Sequence, residues 1–379
     1  MEEYFAWRSS SLIKRRHRLP NGIERMRKEQ WEQFKSAAKR MNGCKVPLAL
    51  IIDSPWIPGY LGINHLDYYL DPEVWFNANL RIMEEFPEVI FFPSWWVEYG
   101  MAAEPSALGA KVCFWPDHPP GITPVLFRSE DVDHLPPVNL QSDGFAALAL
   151  QRYRTQKQRV FDAGYIIPAV AARGPLCTAA FARGLNDFLM DLVENPGAVH
   201  KLLELTTGLT IDWLKAQAQV IGETVEGILV LDDIVGFLSR KHYLEFAHPY
   251  LQQVFDAFPC EWVKVYHNDA NIKPMLEDLA ATGFDVLNWG KNLDVTEVRR
   301  RTGDRICLMG NVNPLEIGTR GTPEEVKAAT LEVLDKSGGQ GLILSVGGGV
   351  SPGMPGANIR AMICGLHEFQ PGIPECIRP

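Results

Sequence analysis

Two adjacent aspartates, Asp232 and Asp233, directly follow the apolar run GILVL. A carboxylate at the end of a strand can give or take a proton, bind a cationic substrate or hold a metal. Neighbouring side chains on a strand point to opposite faces, so one of the two is enough for a site and the other could cap the next helix. The pair is the first candidate for catalysis, and the sequence leaves open which aspartate faces a cleft.

His267 and Asp269 follow a second apolar run, WVKVY. An H-x-D pair can supply two ligands to Zn²⁺ if a third side chain converges on them. The same pair can act as a proton-shuttling imidazole oriented by a carboxylate, or His267 can simply hydrogen-bond where it stands. Both residues are therefore catalytic candidates and candidate metal ligands.

Further polar and aromatic residues stand after apolar runs and are candidates for binding a substrate. Trp56, Trp95 and Trp96 could stack a flat apolar substrate or belong to the core. Glu98 and Glu104 could add carboxylates near these tryptophans. The glycines of SVGGGVSPGMP could let a ligand approach the backbone or form a tight turn. The predicted substrate-binding residues are Asp53, Trp56, Trp95, Trp96, Arg173, Asn288, Asn311 and Gly348.

Eight short apolar runs precede these residues and alternate with longer helical stretches. The runs are 46–53, 89–95, 165–172, 227–233, 262–267, 285–289, 306–311 and 342–348. Continuous apolar runs are typical of parallel strands buried on both faces, and their alternation with helices predicts an α/β fold. We expect a single (β/α)8 TIM barrel over residues 46–379, with the working residues at the carboxyl ends of its strands.

Residues 1–45 are charged and helix-prone, which predicts an N-terminal helical extension packed outside the barrel. Residues 108–127, where KVCFWPD is flanked by Pro and Gly, predict an additional hairpin.

Composition excludes several classes of protein. The 379 residues carry a formal net charge of -9, without the clustered basic face that nucleic-acid binding needs. The N-terminus lacks the apolar segment of a signal peptide, and no apolar stretch reaches the ~18 residues of a membrane span. The seven scattered cysteines include no C-x-x-C pair, which favours a reducing compartment. We expect a cytoplasmic enzyme that binds neither nucleic acid nor membrane.

From about residue 46 to 370 the chain resembles the uroporphyrinogen decarboxylase superfamily. The matching segments are LDDIVGFLSRKHYLEFAHPYLQQV, VYHNDANIKPMLEDLAATGFDVLNW, RICLMGNVNPLEIGTRGTPEEV and GLILSVGGGVSPGMPGANIRAM. The resemblance implies a TIM barrel with its cleft at the carboxyl ends of the strands. Members often form dimers, so a homodimer is an expectation that the sequence leaves open.

The chain departs from both branches of this superfamily. The decarboxylases hold a polyanionic tetrapyrrole with an Arg-rich segment near the first strand, but IIDSPWIPGYLGINHLDYY has no Arg, and Gly348 replaces the His of their late L-G-H-G. Zinc-type methyltransferases that work with corrinoid proteins carry H-x-C and a late Cys. Here His267 is kept, while Asp269 and Gly348 stand where the cysteines would be. A harder site of His and carboxylates could still hold zinc.

The leading hypothesis is a methyltransferase that moves a methyl group between a small donor, such as a methoxylated aromatic compound, and a corrinoid (cobalamin) protein, with zinc as a candidate metal. Removing a methyl group from oxygen or nitrogen needs an acid or a Lewis acid at the leaving atom. The alternative is a cofactor-independent decarboxylase acting on a smaller carboxylate, with Arg173 holding that carboxylate. A third hypothesis is a binding subunit on a barrel that has lost its chemistry.

Overall fold

The computed structural model describes residues 21–41, 43–52, 55–100 and 102–370. The strands are β1 Ala49–Ile51, β2 Ile90–Phe92, β3 Lys111–Cys113, β4 Gly121–Thr123, β5 Ala169–Arg173, β6 Gly227–Leu231, β7 Val263–Asn268, β8 Val286–Trp289, β9 Cys307–Val312 and β10 Leu342–Val346. Each of the eight apolar runs overlaps one of the parallel strands, and β5, β7 and β9 extend one residue beyond their runs. The hairpin predicted within 108–127 is the antiparallel pair of β3 and β4.

The helices are α1 Asn21–Ala38, α2 Trp56–Leu61, α3 His65–Leu70, α4 Pro72–Glu85, α5 Ala103–Ala107, α6 Gly144–Asp162, α7 Pro175–Arg183, α8 Leu185–Glu194, α9 Pro196–Ile221, α10 Arg240–Phe246, α11 His248–Asp256, α12 Leu276–Leu279, α13 Val295–Thr302, α14 Pro323–Ser337 and α15 Gly356–Phe369. Local sequence explains their ends. Thr322 and Glu325 form a capping box at the start of α14, and Pro323 occupies its first turn. None of the helices in the part of the chain that the structure describes has the length and apolar character required to span a bilayer.

Six strands form one parallel sheet in the order β10-β9-β8-β7-β6-β5, and β1 pairs in parallel with β2. A parallel bridge between Leu48 and Leu344 joins β1 to β10. The strand order is therefore that of a TIM barrel, but no ladder joins β2 to β5 within the described ranges, so the expected closed barrel is only partly formed. Pro93 directly follows β2 and Pro168 directly precedes β5, and proline has no N–H to donate to such a ladder.

The inner faces of the eight parallel strands form one apolar cluster. Alternate residues of each strand point inward, as the period of two requires. The strand residues in this cluster are Ala49, Ile51, Phe92, Ala169, Ala171, Leu229, Leu231, Val263, Val265, Val286, Cys307, Met309 and Ile343. The residues between them point outward into the larger core beneath the surrounding helices. The eight parallel strands therefore surround a common interior, and we call this arrangement the strand cylinder. Every second strand residue points into the cylinder and the others point out of it.

Helix α1 covers the amino-terminal end of this cylinder. Trp31 and Phe34 belong to the same inner cluster as the strand residues, and Phe34 stacks on Phe92 with ring centroids 4.8 Å apart. The expectation that the N-terminal helix packs outside the barrel is wrong for these side chains. Its amphipathic face supplies large apolar groups that fill the opening between short strands. The division of the chain at residue 45 stays a prediction.

Candidate active site

The two adjacent aspartates face opposite sides of the strand wall. Asp232 continues the outward parity of β6 and is fully buried. Its Oδ2 accepts from the backbone N of Leu176 at 3.0 Å, and its Oδ1 accepts from the backbone N of Cys177 at 2.8 Å. These are amides of the first turn of α7, where N–H groups lack intrahelical partners. Asp232 therefore caps a neighbouring helix and does not face the cylinder.

The capping arrangement depends on a glycine and changes the acidity of the carboxyl. A Cβ on Gly174 would lie 2.3 Å from Oδ2 of Asp232, so this close approach requires glycine. Burial raises the pKa of Asp232 to about 7, although the two amide donors act in the opposite direction. The raised pKa of Asp232 therefore results from its burial in the core and is not a sign that it takes part in the reaction.

Asp233 keeps the inward parity of β6 and starts the 3-10 turn Asp233–Phe237. Its Oδ1 accepts from the backbone N of Asp269 at 3.0 Å and lies 3.7 Å from Nε2 of His267. The hydrogen bond joins the loop after β6 to the loop after β7. Asp233 is thus the member of the pair that reaches the cluster at the strand ends.

His267 lies on β7 with its side chain pointing inward, and it is buried. It stands in register with Leu231 on β6 and with Asn288 on β8. Its Nδ1 lies 2.7 Å from Oδ1 of Asn288, so Nε2 is the ring nitrogen that faces Asp233. Asn288, predicted to bind a substrate, is fully buried and contacts this imidazole.

Asp233, His267 and Asp269 bring three potential ligand atoms within 4.8 Å of one another. The pKa of Asp269 is raised because its carboxyl is partly shielded from solvent and because the negative charge of Asp233 is nearby. The residue as a whole is exposed. A Cβ on Gly348, which has a φ of +93°, would lie 3.1 Å from Cβ of Asp269. Because Gly348 has no side chain, the Asp269 side chain can occupy this space beside Asp233 and His267.

One imidazole and two carboxylates fit a divalent metal of the zinc type. Zinc accepts His and Asp ligands at about 2.0–2.2 Å, so the three side chains would have to draw closer around an ion. Three protein ligands leave a fourth position open for water or substrate, as in catalytic zinc sites. A cation would also relieve the repulsion between the two carboxylates.

Arg173 stands at the carboxyl end of β5 on the inward face and is buried. Its guanidinium lies 5.7 Å from the ring centroid of Trp96, and its Nε has no hydrogen-bond partner among the described residues. Burial lowers the pKa of Arg173, but the charges of Glu98 and Glu104 outweigh that effect and raise it. Burial raises the pKa of Glu104, whose Oε1 accepts from the backbone N of Arg173 at 2.7 Å.

The structure distributes the other predicted substrate-binding residues differently. Trp56 is fully buried and donates from Nε1 to the carbonyl of Met354 at 3.0 Å. Trp95 is almost fully buried and stacks on Phe76 at 5.1 Å. Both rings are buried in the packing between strands and helices. Asn311 donates to the carbonyl of Leu293 at 2.8 Å. Asp53 lies outside the described residues.

One inward polar residue was not among those predicted. Ser345 on β10 is fully buried, and its Oγ has no hydrogen-bond partner among the described residues. It stands in register with Asn311 and shares the inward parity of Ile343. The available signal was a lone hydroxyl inside the apolar run LILSV, at the position two residues from an inward-facing one.

Comparisons with known proteins agree with this architecture. The sequence model described as "Uroporphyrinogen decarboxylase (URO-D)" matches residues 60–369. A uroporphyrinogen decarboxylase of Chlorobium phaeovibrioides is 30% identical over 180 residues, which cover 45% of this chain and 49% of the relative. That of Chlorobaculum parvum is 28% identical over 254 residues, covering 64% of this chain and 70% of the relative. The match to the first relative therefore spans about half of its length.

A solved structure described as a methyltransferase from Methanosarcina mazei superimposes with a TM-score of 0.77. The likeness covers 90% of this chain and 98% of that one, at 20% sequence identity. At this identity the likeness concerns the fold alone, an α/β fold with a parallel sheet, as the eight apolar runs predict. The resemblance seen in the sequence segments is confirmed, and the chain belongs to the uroporphyrinogen decarboxylase family.

Proposed function

We propose that this protein is a methyltransferase that moves a methyl group between a small donor and the cobalt of a corrinoid protein. One observation carries the proposal: Asp233, His267 and Asp269 gather three metal-ligating atoms within 4.8 Å at the ends of two adjacent strands. Removing a methyl group from oxygen or nitrogen requires an acid at the atom that keeps the electrons. The three side chains would hold a zinc ion, which supplies Lewis acidity when bound.

The reaction balances as a transfer of a methyl cation equivalent. The bond between the methyl carbon and the donor heteroatom breaks, the heteroatom keeps the electron pair and gains a proton, and cobalt(I) supplies two electrons to the new bond. Asp269 is exposed beside the inward-facing Asp233, so this group opens to solvent where a donor and a partner could approach. Arg173 points inward from the end of the neighbouring strand β5, 5.7 Å from the ring centroid of Trp96.

The cofactor-independent decarboxylase has weaker support. A polyanionic substrate needs several cations, and the segment from Ile52 to Tyr69 contains neither Arg nor Lys. The inward cation Arg173 already has the charges of Glu98 and Glu104 nearby. A cofactor-free decarboxylation could use one of these groups as a proton donor, but it does not require three metal-ligating side chains to converge.

The first experiment is a metal analysis of the purified protein together with a transfer assay. Wild type should hold about one zinc per chain and form methylcobalamin from cob(I)alamin with aryl methyl ethers or methylated amines as donors. His267→Ala should lose both properties. His134→Ala removes an exposed histidine from the 3-10 helix Ser129–His134 and serves as the matched control.

Two results would contradict the proposal. One is a metal-free wild type that forms no methylcobalamin with either class of donor. The other is release of CO2 from a small carboxylate substrate without any cobalamin, which would establish the decarboxylase instead.

A further inference from the structure

The side chain of Asn288 meets His267 from the neighbouring strand. Asn288 points inward from β8 and is fully buried. The parallel register of β7 and β8 sets it directly opposite His267. Its Oδ1 lies 2.7 Å from Nδ1 of the imidazole. A residue buried in this way has no surface for a substrate, so its function must act through the group that it contacts.

The surroundings of Asn288 determine which way its amide points. Its Nδ2 lies 2.8 Å from the carbonyl oxygen of Met309 and 3.3 Å from that of Val346. Carbonyl oxygens only accept hydrogen bonds, so the NH2 group must face them. The amide oxygen must therefore face His267, and an oxygen without a hydrogen can only accept from Nδ1.

The consequence for the imidazole follows from its chemistry. If Nδ1 carries the hydrogen, the neutral ring has its lone pair on Nε2. Nε2 is the atom 3.7 Å from Oδ1 of Asp233, within the group that includes Asp269. A neutral imidazole binds a metal through the nitrogen that has no hydrogen, and the bond made by its other nitrogen fixes both tautomer and ring orientation.

We propose that Asn288 is a positioning residue that selects the Nδ1–H tautomer of His267 and keeps Nε2 free to bind a divalent metal. The metal-binding part of this inference rests on the proposed function, whereas the tautomer does not. Asparagine suits the position because a single side chain donates to two carbonyls and accepts from the imidazole. A carboxylate would place an oxygen against carbonyl oxygens, and a hydroxyl is too short for all three contacts.

The test measures tautomer and metal affinity separately. The ring nitrogens of His267 are observed by 15N NMR in metal-free protein, and the His267→Ala spectrum assigns them. Zinc affinity is measured by competition with a chromophoric chelator. Wild type should show hydrogen on Nδ1. Asn288→Ala should lose that preference and bind zinc about 10–100-fold more weakly.

Two further variants separate positioning from packing. Asn288→Asp loses the two amide donors but keeps an acceptor oxygen, so it should retain the Nδ1–H tautomer that Asn288→Ala loses. Asn358 is also buried, and its Nδ2 donates to the carbonyls of Gly318 at 2.8 Å and Gly321 at 2.9 Å. Asn358→Ala should therefore reduce stability in the same manner while leaving tautomer and zinc affinity as in wild type.

The wild-type spectrum of the neutral ring alone can overturn the inference, because a neutral imidazole with its hydrogen on Nε2 would contradict it whether or not the variants fold. It would also be overturned if Asn288→Ala lowered stability as Asn358→Ala does and changed neither tautomer nor zinc affinity. A wild type that binds no zinc but carries hydrogen on Nδ1 would contradict the proposed function and the metal-binding part. The tautomer selected by Asn288 would stand.

Discussion

The two ends of the strand cylinder differ in how their charged groups are arranged. At the amino-terminal end, Trp31 of α1 packs inside and donates to Glu226 at 2.9 Å, while Lys35 pairs with the same carboxylate at 2.8 Å. At the carboxyl end, two carboxylates, Asp233 and Asp269, crowd beside an imidazole. The amino-terminal end pairs opposite charges beside the packed aromatic side chains of α1. The carboxyl end places two negatively charged side chains close together. This division matches the general separation of stability and catalysis in barrel enzymes.

The largest expected effect is at the carboxyl end. Asp233→Asn should lower methyl transfer by about 10²–10⁴-fold, because an amide can neither ligate a metal with charge nor move a proton. Its Oδ1 can still accept from the backbone N of Asp269, so unfolding free energy should change by less than about 0.5 kcal/mol. The measurements are steady-state transfer rates and urea unfolding. Asp133→Asn, an exposed aspartate, is the control. Unchanged activity would remove Asp233 from the site.

The next largest effect is expected for the aromatic side chains of α1 that fill the amino-terminal end of the strand cylinder. Phe34 is fully buried and stacks on Phe92 and Trp31. Phe34→Ala should lower the unfolding free energy by about 3–5 kcal/mol, because it leaves a cavity inside the cylinder. Zinc affinity, measured on the folded fraction, should stay at the wild-type value. A loss of less than about 1 kcal/mol would show that α1 is not part of the core.

Asp232 gives a smaller loss of stability and sharpens the contrast with Asp233. Asp232→Ala leaves the backbone N–H groups of Leu176 and Cys177 without an acceptor. We expect a loss of about 2–4 kcal/mol in urea unfolding, since each buried unsatisfied donor costs about 1–3 kcal/mol. Asp232→Asn should lose less, because an amide oxygen still accepts one of the two bonds. If both variants unfold like wild type, the helix cap contributes nothing.

The smallest effect is the charge pair of Glu226 and Lys35, in which both side chains are partly exposed. Glu226→Gln should cost about 0.5 kcal/mol at pH 7. The hydrogen bond from Lys35 lowers the pKa of Glu226, so the pair stabilises above the unfolded pKa and the stabilisation is lost as pH falls through the lower folded value. The difference between wild type and variant should begin to shrink as pH falls below the unfolded Glu pKa of ~4.3 and vanish once pH is below the lower folded value.

Denaturation at several pH values measures this difference, with Glu223→Gln as the exposed control. A difference that does not shrink at all between pH 7 and pH 3 would mean that the glutamine disturbs packing around Trp31, and that the charge pair does not stabilise the amino-terminal end.

Much of the fold could be predicted because its signals are local. Each buried parallel strand reads as a continuous apolar run, and each run gave one of the eight strands. Whether β2 pairs with β5 to close the barrel could not be predicted in this way. Closure depends on whether two strands that are distant in sequence approach each other in register. Likewise the period of α1 showed an apolar face but not that Trp31 and Phe34 would fill the inside of the cylinder.

By itself, the sequence determined that carboxylates and a histidine follow apolar strands, and that adjacent aspartates point to opposite faces. It did not determine which aspartate points inward, because a shift of one residue in the strand exchanges the two faces. Only the tertiary structure decided that Asp232 caps α7 and that Asp233 meets His267 and Asp269. The cap requires the first turn of a helix from another part of the chain, and the cluster requires two neighbouring strands in register, so both arise only when distant segments pack together.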